Sequence, residues 1–89
     1  MIPDMFLIDY DPFAMESRVA IVNDGMRSFV SVSSDISSLA KELPALCDTH
    51  NQYNVRFHAP TNAFYELKRQ LEDVEKDTYG ESKINLEIC

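Results

Sequence analysis

Glycine is nearly missing from these 89 residues, with Gly25 and Gly80 the only two. That leaves no material for a flexible linker, and none for a glycine-rich turn that lets a phosphate approach the backbone. Cysteine is equally scarce. Cys47 and Cys89 are too few for the disulfide framework of a small secreted scaffold, so reduced thiols in a cytoplasmic protein are the expectation. No CxxC or HxxxH spacing joins them to His50 or His58, which argues against a zinc site. Basic residues are outnumbered by acids, eight against fifteen, for a formal charge of -7. Such a balance repels phosphate backbones and anionic lipid, and direct nucleic-acid binding is disfavoured. The opening stretch MIPDMFLIDYDP carries no basic region, and acids interrupt its apolar run, so neither a signal peptide nor a membrane span is expected.

What remains is ample for one core. An apolar fraction of 45%, with five phenylalanines and four tyrosines, describes a folded chain, and the length limits it to a single α/β domain spanning residues 1 to 89. Met5 to Asp11 is apolar at four consecutive positions, as expected of a strand covered on both faces, and Asp11-Pro12 ends it. Arg18 to Val22 and Phe29 to Val32 flank Asn23-Asp24-Gly25, whose residues tolerate positive φ: a β-hairpin.

Two helices and two further strands follow. Ile36, Leu39, Ala40, Leu43, Cys47 and His50 recur at helical spacing behind a Ser34 or Asp35 cap. Pro44 lies inside that pattern, and its missing donor predicts a kink or a break near Glu42 to Leu43. Val55 and Phe57 alternate with Arg56 and His58 in a short strand. Thr61 or Asn62 is the expected cap of a second helix, with a stripe of Phe64, Leu67, Leu71, Val74 and Thr78, a Glu72 and Lys76 pair outside, and Gly80 ending it. Ile84, Leu86 and Ile88 alternate with Asn85 and Glu87 in a last strand. The expected architecture is a five-stranded mixed sheet in the order β-β-β-α-β-α-β. Three strands are antiparallel and two parallel, with the helices packed on the sheet.

This order, with an aspartate at the end of a buried first strand in FLIDYDP, resembles the ribonuclease H-like superfold. The resemblance implies a divalent-metal site in its nuclease branch, where converging carboxylates hold two ions, Mg or Mn, that activate water. Asp9 or Asp11 matches the first-strand acid and Glu42 the helix acid. After the fourth strand, where that fold commonly places another aspartate, the chain reads His58-Ala59-Pro60, and the late helix carrying the last carboxylate has no counterpart. The resemblance therefore brings an incomplete site.

Two functional expectations follow. The first is a small acidic, non-catalytic interaction protein with no cofactor, of the sort viral or mobile-element genomes encode to modulate a host protein. Its contacts are expected from the acidic regions Asp4 to Asp24 and Glu66 to Glu87, which could imitate nucleic-acid phosphates, and from an apolar patch of Met1, Met5, Met15, Met26 and Phe13. The second is a minimal divalent-metal nuclease or phosphotransfer enzyme using Asp9, Asp11 and Glu42, with Asp9 and Asp11 as metal ligands and Asp9 partly covered. A last strand at the sheet edge would also allow two chains to pair. A Cys47 and His50 thiolate pair is disfavoured, because nothing nearby resembles an oxyanion hole.

Overall fold

A computed structural model describes residues 4 to 88; Met1 and Cys89, both invoked above, lie outside them. The strands are β1 (Met5–Asp11), β2 (Glu16–Asn23), β3 (Met26–Ser33), β4 (Asn54–His58) and β5 (Asn85–Ile88), with helices α1 (Ile36–His50) and α2 (Thr61–Thr78). They form one sheet in the order β3-β2-β1-β4-β5. The β1-β2 and β2-β3 pairs are antiparallel, and β4 runs parallel to both β1 and β5. The five-stranded mixed architecture read from the sequence is the observed one.

The two antiparallel connections have different causes. Asp24 and Gly25, at φ 52° and 80°, make a two-residue turn of the kind whose twist suits a hairpin. Between β1 and β2 the Asp11 carboxylate accepts the N–H groups of Phe13 (3.0 Å) and Ala14 (3.3 Å), the local bonding that lets an aspartate turn a chain. Asp11 is thereby a turn residue.

Both helices lie on the same face of the sheet, packed against each other. Phe6, Ile8, Val19, Val55 and Phe57 point into them and meet Leu39, Leu43 and Cys47 of α1 and Phe64, Leu67 and Leu71 of α2. The body measures 33 × 31 × 19 Å, and 19 Å accommodates a sheet and one helix layer. The helices therefore cover one face of the first strand, while on its other face Met5 is buried, Leu7 half-buried and Asp9 exposed.

α1 runs as one helix through Pro44, so the break allowed by the sequence is absent. Its neighbours hold it: Pro44 is buried, and its carbonyl accepts the Tyr79 hydroxyl at 3.2 Å. Tertiary packing outweighs the missing donor, whose cost is about 3 kcal/mol. Asp35 caps α1, accepting the Ser38 N–H at 2.7 Å. At α2 neither Thr61 nor Asn62 is the cap; Pro60 holds that position without a side-chain bond. Gly80, at φ 77°, ends α2, donating its N–H to the Glu75 and Lys76 carbonyls just beyond the Tyr79 cap.

Candidate functional site

The residues singled out in the sequence are dispersed. Asp9 sits late on β1 on the face away from the helices, and its side chain is 63% exposed, so the partial cover expected of it is absent. Asp11 is held in its turn. Glu42 lies on the helix side, where the Ser33 hydroxyl donates to its Oε2 at 2.5 Å. The sheet itself stands between Asp9 and Glu42. Among the described residues no three His, Cys, Asp or Glu side chains are grouped as a metal centre would need.

The partner of Asp9 is His58, the residue that stands where the resemblance would place another acid. Parallel pairing sets Asp9 beside His58, and His58 Nδ1 lies 3.2 Å from Asp9 Oδ1. Both are exposed, which keeps such a pair weak in water.

Around this pair spreads the uncovered face. Period-two alternation sends Leu7 and Asp9 of β1 to it, and register adds Arg18, Ala20 and Val22 of β2 and Arg56 and His58 of β4. Met5 and Val22, paired at one end of this face, are only 4% and 2% exposed. Met5 therefore belongs to no exposed patch. β3 contributes through an irregularity: Ala20 pairs with Phe29 and Val19 with Ser31, leaving Val30 as an extra residue. Such a bulge shifts the alternation by one. Val30 packs against the core, whereas Phe29 and Val32 emerge together on the outer face, 67% and 45% exposed.

The electrostatics of this face differ from those of the chain. Three of its four arginines, Arg18, Arg27 and Arg56, stand here. Arg27 reaches from β3 to share a shallow groove with Leu7, Asp9, Arg56 and His58. Arg56 has a carboxylate at 3.9 Å, from Glu87. Among the described residues, neither Arg18 nor Arg27 has an acid within 4.0 Å.

Other exposed apolar residues do not join into one patch. Phe13 and Met15 occupy the β1-β2 turn and Met26 follows the β2-β3 turn, at opposite ends of a strand about 26 Å long. Glu72 and Lys76 make no ion pair among the described residues.

Two polar clusters escaped the sequence reading. Glu75 of α2 is 2% exposed, and its Oε2 accepts the N–H groups of Lys83 and Ile84. Asp48 accepts the hydroxyls of Tyr53 (2.5 Å) and Tyr79 (2.9 Å), while the Lys83 ammonium lies 4.4 Å and 5.0 Å from the centres of those two rings. The tyrosine bonds hold the Asp48 carboxyl below the usual range, and burial followed by the bond to Asp48 pushes the Tyr79 hydroxyl up. The Glu75 bonds and the Lys83 contacts fasten the approach to β5, and the Asp48 bonds tie α1 to the segments before β4 and after α2. Burial also drives the Cys47 thiol up to about 12, which removes the thiolate a nucleophile requires. Helical spacing does mark Glu75, which continues the buried series Ala63, Leu67 and Leu71 at four-residue intervals.

No protein-family model and no curated protein matches the chain. Among solved structures it is similar to the crystal structure of the Aquifex aeolicus member of the Ppx/GppA family, at 20% identity and a TM-score of 0.43. It is similar also to a structure of the Aquifex aeolicus PPX-GPPA enzyme, at 18% identity and the same TM-score. Both likenesses cover 98% of this chain but 35% and 36% of those proteins. The chain thus spans about a third of the structures it resembles. At the level of element order it is compatible with the ribonuclease H-like architecture.

Proposed function

We propose that this domain is a non-catalytic protein-binding module working through the uncovered face of its sheet, with a ribonuclease H-like core as scaffold. The scaffold reading rests on element order and the first-strand acid alone. The binding reading rests on one observation: Phe29 and Val32 stand exposed beside Leu7 and Ala20, within a field of arginines, on a face that neither helix covers. Large apolar side chains grouped on a surface and rimmed by charge favour association, because contact removes their area from water at about 25 cal/mol per Å². Arginine adds planar, multidentate recognition of carboxylates.

The test compares the wild-type chain with a Phe29→Glu, Val32→Glu variant as immobilised baits in lysate of the source cells. A protein retained by the first and lost by the second is the expected result, with matching thermal melts showing that both baits are folded. Equal retention by both, or divalent-metal-dependent cleavage of nucleic acid that disappears in Asp9→Asn, would overturn the reading.

A further inference from the structure

The nature of the partner follows from the chemistry of this face, provided the protein-binding reading above holds. We propose that the face receives an acidic amphipathic helix of a partner protein. Its apolar stripe would lie on Leu7, Ala20, Phe29 and Val32, and its flanking carboxylates on Arg27 and Arg56.

Three observations select that occupant. First, β1 and β2 are interior strands, hydrogen-bonded on both sides. Their face offers side chains alone, so a partner laid across it must satisfy its own backbone, as a helix does. The opposite face of the same sheet already takes α1 and α2 in this manner. Second, the charge is complementary to acid: Asp9 stands opposite Arg18 and lines one groove with Arg27 and Arg56, and Glu87 lies 3.9 Å from Arg56, yet among the described residues Arg18 and Arg27 have no carboxylate within 4.0 Å. An incoming Glu or Asp supplies the missing acceptor, and an apolar contact beside it excludes water from the pair.

Third, the other occupants fit poorly. A second copy of this chain brings no spare amphipathic stripe, because Leu39, Leu43, Leu67 and Leu71 are buried in its own core; two such faces set together would also oppose like-charged arginines. A polyphosphate strand carries charge along its whole length onto a body of charge -7 and has no apolar stripe to set against Phe29 and Val32, whereas an amphipathic helix confines its carboxylates to the flanks beside the arginines.

The experiment uses a fluorescein-labelled synthetic helical peptide of about 18 residues, with leucines along one stripe and glutamates flanking it. Binding is followed by fluorescence anisotropy and by amide NMR shifts of the intact chain. Saturable binding is expected, weakening as salt rises, with the largest shifts at Leu7, Ala20, Phe29 and Arg56. The Arg27→Glu, Arg56→Glu variant should lose at least roughly tenfold in affinity, about 1.4 kcal/mol, and Arg27→Lys, Arg56→Lys should lose less. Matching thermal melts of these variants and the wild-type chain establish that the loss is local.

The proposal is overturned if a peptide with lysine in place of every glutamate binds equally well or if shifts map to the helix layer. It falls as well if sedimentation shows two copies burying this face, or if a single-stranded oligonucleotide binds there more tightly than the peptide. Should capture of a cellular protein depend on Phe29 and Val32 while the acidic peptide fails to bind, this inference falls and the protein-binding reading stands. Capture that ignores both residues removes the two together.

Discussion

The Glu75 carboxylate accepts the backbone N–H of Ile84 at 2.9 Å from a position on α2 that is 2% exposed. The same oxygen accepts the N–H of Lys83, so one buried acid fixes the point at which the chain leaves the α2 turn and enters β5. Hydrogen bonds to a charged acceptor contribute about 1.5–3 kcal/mol each. Glu75→Ala, which strands two donors near the core, should therefore cost about 3 kcal/mol in urea unfolding. Glu75→Gln keeps an acceptor oxygen and should cost less.

Acid should weaken the fold through Asp48 and Asp35. The Tyr53 and Tyr79 hydroxyls hold Asp48 below its ordinary value, and the Ser38 backbone N–H followed by its side chain does the same for Asp35. A carboxyl whose folded pKa is depressed stabilises the fold fully above its unfolded value, about 3.9, and loses that contribution as pH falls through the folded value. Melting temperature should accordingly fall as pH drops below about 4. Asp48→Asn should melt lower than wild type near neutrality, and the gap should narrow as acid is added.

Cys47 should be silent toward thiol reagents while the chain is folded. The residue is fully buried, and its thiol is pushed up to about 12. In a Cys89→Ser background, a disulfide reagent at mildly alkaline pH should modify no thiol until denaturant is added, and one equivalent afterwards. Rapid labelling in the folded state would contradict the burial described.

Addition of Mg²⁺ or Mn²⁺ should leave the melting temperature unchanged, because a ligand that binds only the folded state must raise it and the acids among the described residues do not converge. Asp9→Asn should shift stability by no more than about 0.5 kcal/mol, the usual range for an exposed site. A metal-induced rise abolished by that substitution would return Asp9 to the role of a ligand.

The fold was legible where pattern and geometry share a period. Val55 and Phe57 alternate with polar neighbours and are both buried; Leu39, Leu43 and Cys47 recur at helical spacing and all face the core. The turn at Asp24-Gly25 was legible because positive φ demands particular residues. Pro44 misled because local propensity says nothing of Tyr79, 35 residues later, whose hydroxyl bonds its carbonyl. The partners of Glu75 were hidden for the same reason, since Lys83 and Ile84 are brought to it by the turn after α2. The candidate face lay further from view. Its members come from four strands, and sequence cannot show which side of a sheet lacks a helix layer until both crossovers are placed.

The extra residue in β3 has a consequence for how such a face could diverge. Alternation has only two phases, so inserting Val30 between Phe29 and Ser31 reverses the phase of everything on one side of it relative to the other. Deleting that one residue would restore strict alternation and carry either Phe29 or Val32 off the outer face, with the β1, β2 and β4 contributions untouched. In this domain a change of length by a single codon redraws the apolar outline presented to a partner, and leaves the arginines of the neighbouring strands where they are.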